Sequence, residues 1–158
     1  MSDTATAQRP TILIVEDDDN LRNIVGFRLE KAGYHIIDVD DGQKALEHLR
    51  KADLVLLNLG LPRISGLDII RHMRSSGIYT PILVISGNQD MFDEVEKYDI
   101  VEIIPKPFDM PYLLDRVEKA LKLNHKLEVL EQKAVSLTST IDSALMALQV
   151  NGFIGHGI

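Results

Sequence analysis

Between residues 11 and 123, short β-branched or aliphatic runs alternate five times with longer amphipathic segments. Thr11 to Val15, His35 to Val39, Leu54 to Leu57, Pro81 to Ile85 and Val101 to Ile104 have strand composition. The first, third and fourth are apolar without alternation, as expected of strands covered on both faces of a parallel sheet. The segments between them read as helices: Asn20 to Ala32 closed by Gly33, Gly42 to Arg50, Gly66 to Ser76 closed by Gly77, Gln89 to Tyr98, and one beginning near Asp109. Five such units predict an α/β doubly wound sheet of five parallel strands. Sheets of this kind bind ligands beyond the carboxyl ends of their strands, where the strand order reverses.

At those ends stand Glu16-Asp17-Asp18-Asp19, Asn58, Ser86-Gly87 and Lys106-Pro107-Phe108. Acids, a hydroxyl and an ammonium converging on one crevice are the groups that magnesium-assisted phosphoryl transfer employs. The acceptor is missing. Residue 58 is where a carboxylate would attack phosphorus, and a neutral amide is a poor nucleophile and a poorer metal ligand.

The stretches Ile12-Leu13-Ile14-Val15-Glu16-Asp17-Asp18, Leu54 through Pro62 with Ser65-Gly66-Leu67-Asp68, Pro81 through Gly87, and Pro105-Lys106-Pro107-Phe108 occur in this order. Together they resemble the receiver domain of bacterial two-component response regulators over about residues 10 to 122. The resemblance implies a flavodoxin-like receiver, a non-enzymatic signalling module, whose Mg2+ is held by Asp17 directly, by Glu16 through water and by the backbone carbonyl of Gly60. It also implies that Ser86 bonds an incoming phosphoryl oxygen, that Lys106 pairs with the acceptor and then with the phosphoryl group, and that Lys106-Pro107 is a cis peptide. The implied partners are a histidine kinase or phosphotransfer protein and an output protein or domain downstream.

Two positions depart from that pattern. Asn58 replaces the acceptor aspartate, which removes phosphorylation there and predicts weakened Mg2+ binding. Ile103 stands where a switch aromatic is common, and it has no ring to rotate in concert with Ser86. The chain therefore reads as a pseudo-receiver or as an acceptor-knockout variant of a response regulator. The alternative is the N-terminal regulatory part of a larger signalling enzyme whose output domain lies beyond the helical tail.

Other features have plainer readings. Asp18 and Asp19 suit the cap and first turn of the next helix. The five histidines show no metal-ligand spacing, and the glycines of residues 151–158 lack the strand and helix that frame a phosphate loop. A net charge of −7 and a pI near 5.1 disfavour a sequence-independent grip on nucleic acid or anionic lipid. Residues 1–10 have no signal-peptide core, no run is long enough to span a bilayer, and cysteine is absent; a cytoplasmic protein is expected.

The tail carries the second strong pattern. Leu123, Leu127, Leu130, Ala134, Leu137, Ile141, Ala144 and Leu148 recur at alternating spacings of 4 and 3, a heptad stripe. Neither Pro nor Gly interrupts Tyr112 to Val150. The expected organisation is a disordered tail at 1–10, a receiver at 11–123, a coiled-coil extension at 124–150 continuous with the last receiver helix, and a flexible end at 151–158. A homodimer through residues 123–150 is expected, because a solitary helix would leave the stripe in water. In a parallel pair Lys126 faces Glu131 of the other copy, which favours that orientation. Apolar residues off the stripe beyond Ala144 point to a further contact or a downstream module.

Overall fold

The structure, a computed structural model, describes residues 8–156, with side chains through Gln149. Residues 1–7 of the expected N-terminal tail, and residues 157 and 158, lie outside the described residues. Strands β1 (Thr11–Val15), β2 (His35–Val39), β3 (Leu54–Asn58), β4 (Ile82–Ser86) and β5 (Glu102–Pro105) alternate with helices α1 (Asp19–Lys31), α2 (Gly42–Leu46), α3 (Gly66–Ser75), α4 (Phe92–Glu96) and α5 (Met110–His156). The sheet order is β2-β1-β3-β4-β5 with every pair parallel. This is the doubly wound receiver fold, with a long helix at its C-terminal end.

Because successive strand residues face opposite sides, each strand supplies two cores. Leu13, Val15, Val55, Leu57 and Val84 pack with Leu49, Leu67, Ile70, Met73 and Val95 on one face. Ile12, Ile14, Leu54, Leu56, Leu83 and Ile85 pack with Val25, Leu29, Leu113, Val117 and Ala120 on the other. Every residue of β3 and β4 is buried, which accounts for their unbroken apolar composition up to Asn58 and Ser86.

Local chemistry sets the helix ends. The Asp18 carboxylate accepts the Leu21 N–H at 3.1 Å and starts α1. Ser65 and Asp68 form a reciprocal capping box at the start of α3. Gly33 and Gly77, at φ of 102° and 74°, carry the chain out of α1 and α3 through the left-handed region.

Two helices are shorter than the periodicity predicts. The segment expected as one helix from Gly42 to Arg50 is α2 and then a 3-10 turn at Leu49–Lys51. The tighter bonds from Glu47 N–H to the Lys44 carbonyl and from His48 N–H to the Ala45 carbonyl end α2, and Leu49 then enters the core. The Gln89 to Tyr98 segment opens with a 3-10 turn at Gln89–Met91, and α4 itself is five residues with Val95 as its one buried anchor. Strands β4 and β5 each begin one residue later than expected, and β5 ends on Pro105.

Two compact units divide the chain, one ending at Leu121 and one beginning at Lys122. Within the second, α5 leaves Leu123, Leu127, Leu130, Leu137, Ile141 and Leu148 at least half exposed, along with Val135, Leu145 and Met146. The α5 backbone continues through residues 151–156, part of the segment expected to be a flexible end.

Candidate functional site

The strand order turns back between β1 and β3, so the crevice there receives the residues just after Val15 and the last residue of β3. Glu16 comes directly after β1, its N–H donating to the Val39 carbonyl at 3.1 Å. Asn58 closes β3 in register with Ile85. Both are almost completely buried, Glu16 at 5% and Asn58 at 8% relative exposure, whereas Asp17 is exposed.

Hydrogen bonds join four of the expected residues. Asn58 Nδ2 donates to Glu16 Oε2 at 3.1 Å and to Asp17 Oδ1 at 3.0 Å. Lys106 Nζ donates to Glu16 Oε1 at 2.8 Å as an ion pair. The Asp18 N–H donates to Glu16 Oε2 at 3.1 Å, so Glu16 meets a donor from three directions. Burial of a carboxylate demands this degree of satisfaction. The sequence reading has Lys106 paired with residue 58; with an amide there, the ammonium pairs with Glu16.

The remaining expected residues, Ser86, Gly60 and Ile103, take no part in these side-chain hydrogen bonds. Ser86, 2% exposed, ends β4, and its Oγ accepts the Asn88 N–H at 3.0 Å. Its carbonyl accepts the Lys106 N–H at 2.9 Å, which ties the end of β4 to the lysine's backbone. Lys106-Pro107 is cis. Gly60 is exposed in the loop after β3. Ile103 pairs with Val84 in the sheet and packs, partly buried, against the core that contains Leu57 and Val84.

Two residues escaped the sequence reading. Arg22 donates to the Glu16 carbonyl at 3.0 Å and to Asp19 at 2.7 Å, and lies 3.6 Å from Asp38, so it binds the acidic loop to the end of β2. Its hydrogen bond to Asp19 raises the guanidinium above its usual value. Gly66 is the other: a Cβ there would lie 2.5 Å from the Asn58 carbonyl oxygen and 2.7 Å from the Leu59 Cα, so only glycine lets α3 start so close to the site. A basic residue six positions after an acid has no signature spacing. The glycine stands in a motif, but the motif alone does not reveal which backbone it touches.

A doubly wound sheet with a buried acid, amide and hydroxyl and a partly exposed ammonium at the carboxyl ends of its strands defines a receiver-type signalling domain. Residues 12–118 match the response regulator receiver domain family, and the chain belongs to it as a receiver of two-component signalling. It is similar to the response regulator ArlR of Staphylococcus aureus strain Mu50, 35% identical over 147 residues that cover 89% of this chain. Those residues span 64% of ArlR's length. Among solved structures it is similar to a response regulator receiver protein from Pseudomonas putida, with a TM-score of 0.67, 30% identity, and coverage of 72% of this chain and 99% of that one. The response regulator protein TrrA of Thermotoga maritima, solved in complex with Mg(2+)-BeF, matches with a TM-score of 0.64 and 26% identity over 70% of this chain and 98% of that one.

Receiver domains bind Mg2+ at their acidic pocket. In this structure Glu16 Oε1, Glu16 Oε2 and Asp17 Oδ1 each already accept from a nitrogen donor. Mg2+ demands oxygen ligands in near-octahedral array. The Asn58 group that faces Glu16 and Asp17 is an N–H donor, and Lys106 covers the other Glu16 oxygen. Among the described residues, no three His, Cys, Asp or Glu side chains are placed to hold a metal ion.

Proposed function

We propose that this chain is a pseudo-receiver: a non-enzymatic two-component signalling module that accepts no phosphoryl group at residue 58 and passes its state on through a paired helical tail. The observation that carries the reading is the buried Asn58 amide, which donates to both acids where an acceptor carboxylate would face them. In this reading Ser86 and Lys106 keep the phosphoryl-binding positions without a phosphoryl group to hold, and affinity for Mg2+ is weakened. A histidine kinase or phosphotransfer protein remains the upstream partner and an output protein or domain the downstream one. An acceptor-knockout variant of a working response regulator fits the same geometry, because an Asp-to-Asn change is nearly isosteric. The regulatory part of a larger signalling enzyme fits the tail equally well.

The exposed stripe from Leu123 to Leu148 supports pairing of two copies. Among the described residues no helix is long and apolar enough to cross a membrane. The phosphorylation test is direct. Small phosphodonors with magnesium should leave this chain unlabelled and should label Asn58→Asp with an acid- and base-labile acyl phosphate, read by intact-protein mass. Stoichiometric labelling of the parent chain that maps to the crevice defeats the reading.

A further inference from the structure

We propose that the Asn58 amide and the Lys106 ammonium together act as a built-in counter-cation for Glu16 and Asp17, holding the acidic crevice in one state without a divalent ion. This role rests on the pseudo-receiver reading and gives Asn58 a positive task, where that reading gives it only a lost one.

A buried carboxylate, Glu16, with the exposed carboxylate of Asp17 beside it needs a source of positive potential. In this chain that source is internal. One nitrogen, Asn58 Nδ2, bridges Glu16 Oε2 and Asp17 Oδ1, and its two N–H bonds suffice for one donation to each. Lys106 supplies the full charge, on Glu16 Oε1 at 2.8 Å. The Asp18 N–H completes the shell around Glu16, and Arg22 anchors the same loop through the Glu16 carbonyl. An aspartate at 58 could donate nothing to either acid and would compete with Glu16 for the lysine. An alanine would remove the bridge while adding no charge, taking the amide donor from Asp17 Oδ1 and one of the two donors from Glu16 Oε2, which opens those oxygens to a hydrated ion.

The alanine variant therefore separates a bridge from the simple loss of a ligand. If Asn58 is only an absent metal ligand, Asn58→Ala is as blind to Mg2+ as the parent. If Asn58 is the bridge, deleting it exposes the acids and creates sensitivity to magnesium. Melting curves of the full chain, Asn58→Ala and Asn58→Asp are to be recorded in a chelator and in millimolar MgCl2. The parent should not move. Both variants should melt below it in the chelator and rise by about 3–6 °C at a magnesium concentration roughly ten times the dissociation constant.

A second readout needs no variant to fold. In a nitrogen–proton spectrum of the parent chain, the Asn58 side-chain pair should exchange slowly with water and hold its position through a magnesium titration. A folded Asn58→Ala with no magnesium shift overturns the proposal. So does a parent chain whose melting point responds to magnesium as strongly as that of Asn58→Asp, or whose Asn58 side-chain resonances shift through the titration. The phosphodonor test is independent of these outcomes: Asn58→Asp can gain an acyl phosphate while Asn58→Ala stays blind to magnesium, in which case only the counter-cation fails.

Discussion

Leu137→Asp tests the tail most sharply, because the residue lies mid-stripe and is 63% exposed in the single chain. Full burial of a leucine stabilises by about 1.5–3 kcal/mol, and roughly two-thirds of that remains to be gained when a second helix covers it, about 1–2 kcal/mol per chain. An aspartate forfeits this in both copies. It also places two unpaired carboxylates in an apolar seam, each at no less than the roughly 1–3 kcal/mol that burial of even a neutral polar group costs on mutational scales. The combined loss, on the order of 4–10 kcal/mol per dimer, weakens association by about three orders of magnitude or more, since every 1.4 kcal/mol is tenfold. Ser136→Asp, one residue away on the exposed outer side, should leave association unchanged. Light scattering at tens of micromolar should therefore read a dimer for the parent and Ser136→Asp, and a folded monomer for Leu137→Asp and for truncation after Asn124. A monomeric parent refutes the seam, and a truncated chain that stays dimeric refutes its location.

The receiver's own contacts set two further outcomes. Tyr112 donates its hydroxyl to Glu102 at 2.7 Å, and that bond raises the phenol above its usual value; ultraviolet titration should show a late-ionising component that Tyr112→Phe removes. A raised folded value means that the bond's contribution is complete below the unfolded tyrosine value, near pH 10, and is lost as pH rises through the folded value, so the two proteins' stabilities should converge only in strong alkali. The Arg74 guanidinium, held below its usual value by burial, donates to the carbonyls of Ile78, Thr80 and Asp99. Arg74→Met should lower urea stability by about 2–4 kcal/mol with an unchanged slope, because several carbonyls lose a charged donor at once.

The sheet was legible because burial on both faces writes itself directly into composition: Leu54 to Leu57 and Ile82 to Ile85 contain no polar residue. The crevice was legible for a different reason, since the doubly wound topology sends the residues after β1, β3, β4 and β5 to one end, whatever they are. What escaped was pairing. The sequence places Lys106, Glu16 and Asn58 together but does not say that the ammonium takes Glu16, because that choice depends on which neighbour carries charge once residue 58 does not. Helix α4 misled for a related reason: Gln89 to Tyr98 has helical composition, yet propensity alone does not sustain a short helix, and with Val95 as its one fully buried residue there is little packing to extend it.

A receiver without an acceptor cannot draw on the free energy of an acyl phosphate to change its state. What remains is differential binding, and a ligand shifts a two-state equilibrium only by the difference in its affinity for the two states. Complete reversal, from one part in a hundred to ninety-nine, takes about 5.5 kcal/mol of that difference. A buried crevice already satisfied by Asn58 and Lys106 offers little such leverage, because any occupant must first displace donors that Glu16 and Asp17 already have. The exposed stripe of α5 offers more, with Leu123, Leu127, Leu130, Leu137, Ile141 and Leu148 each at least half uncovered. On the pseudo-receiver reading, a partner that covers the tail therefore has more leverage over this chain than an occupant of the crevice.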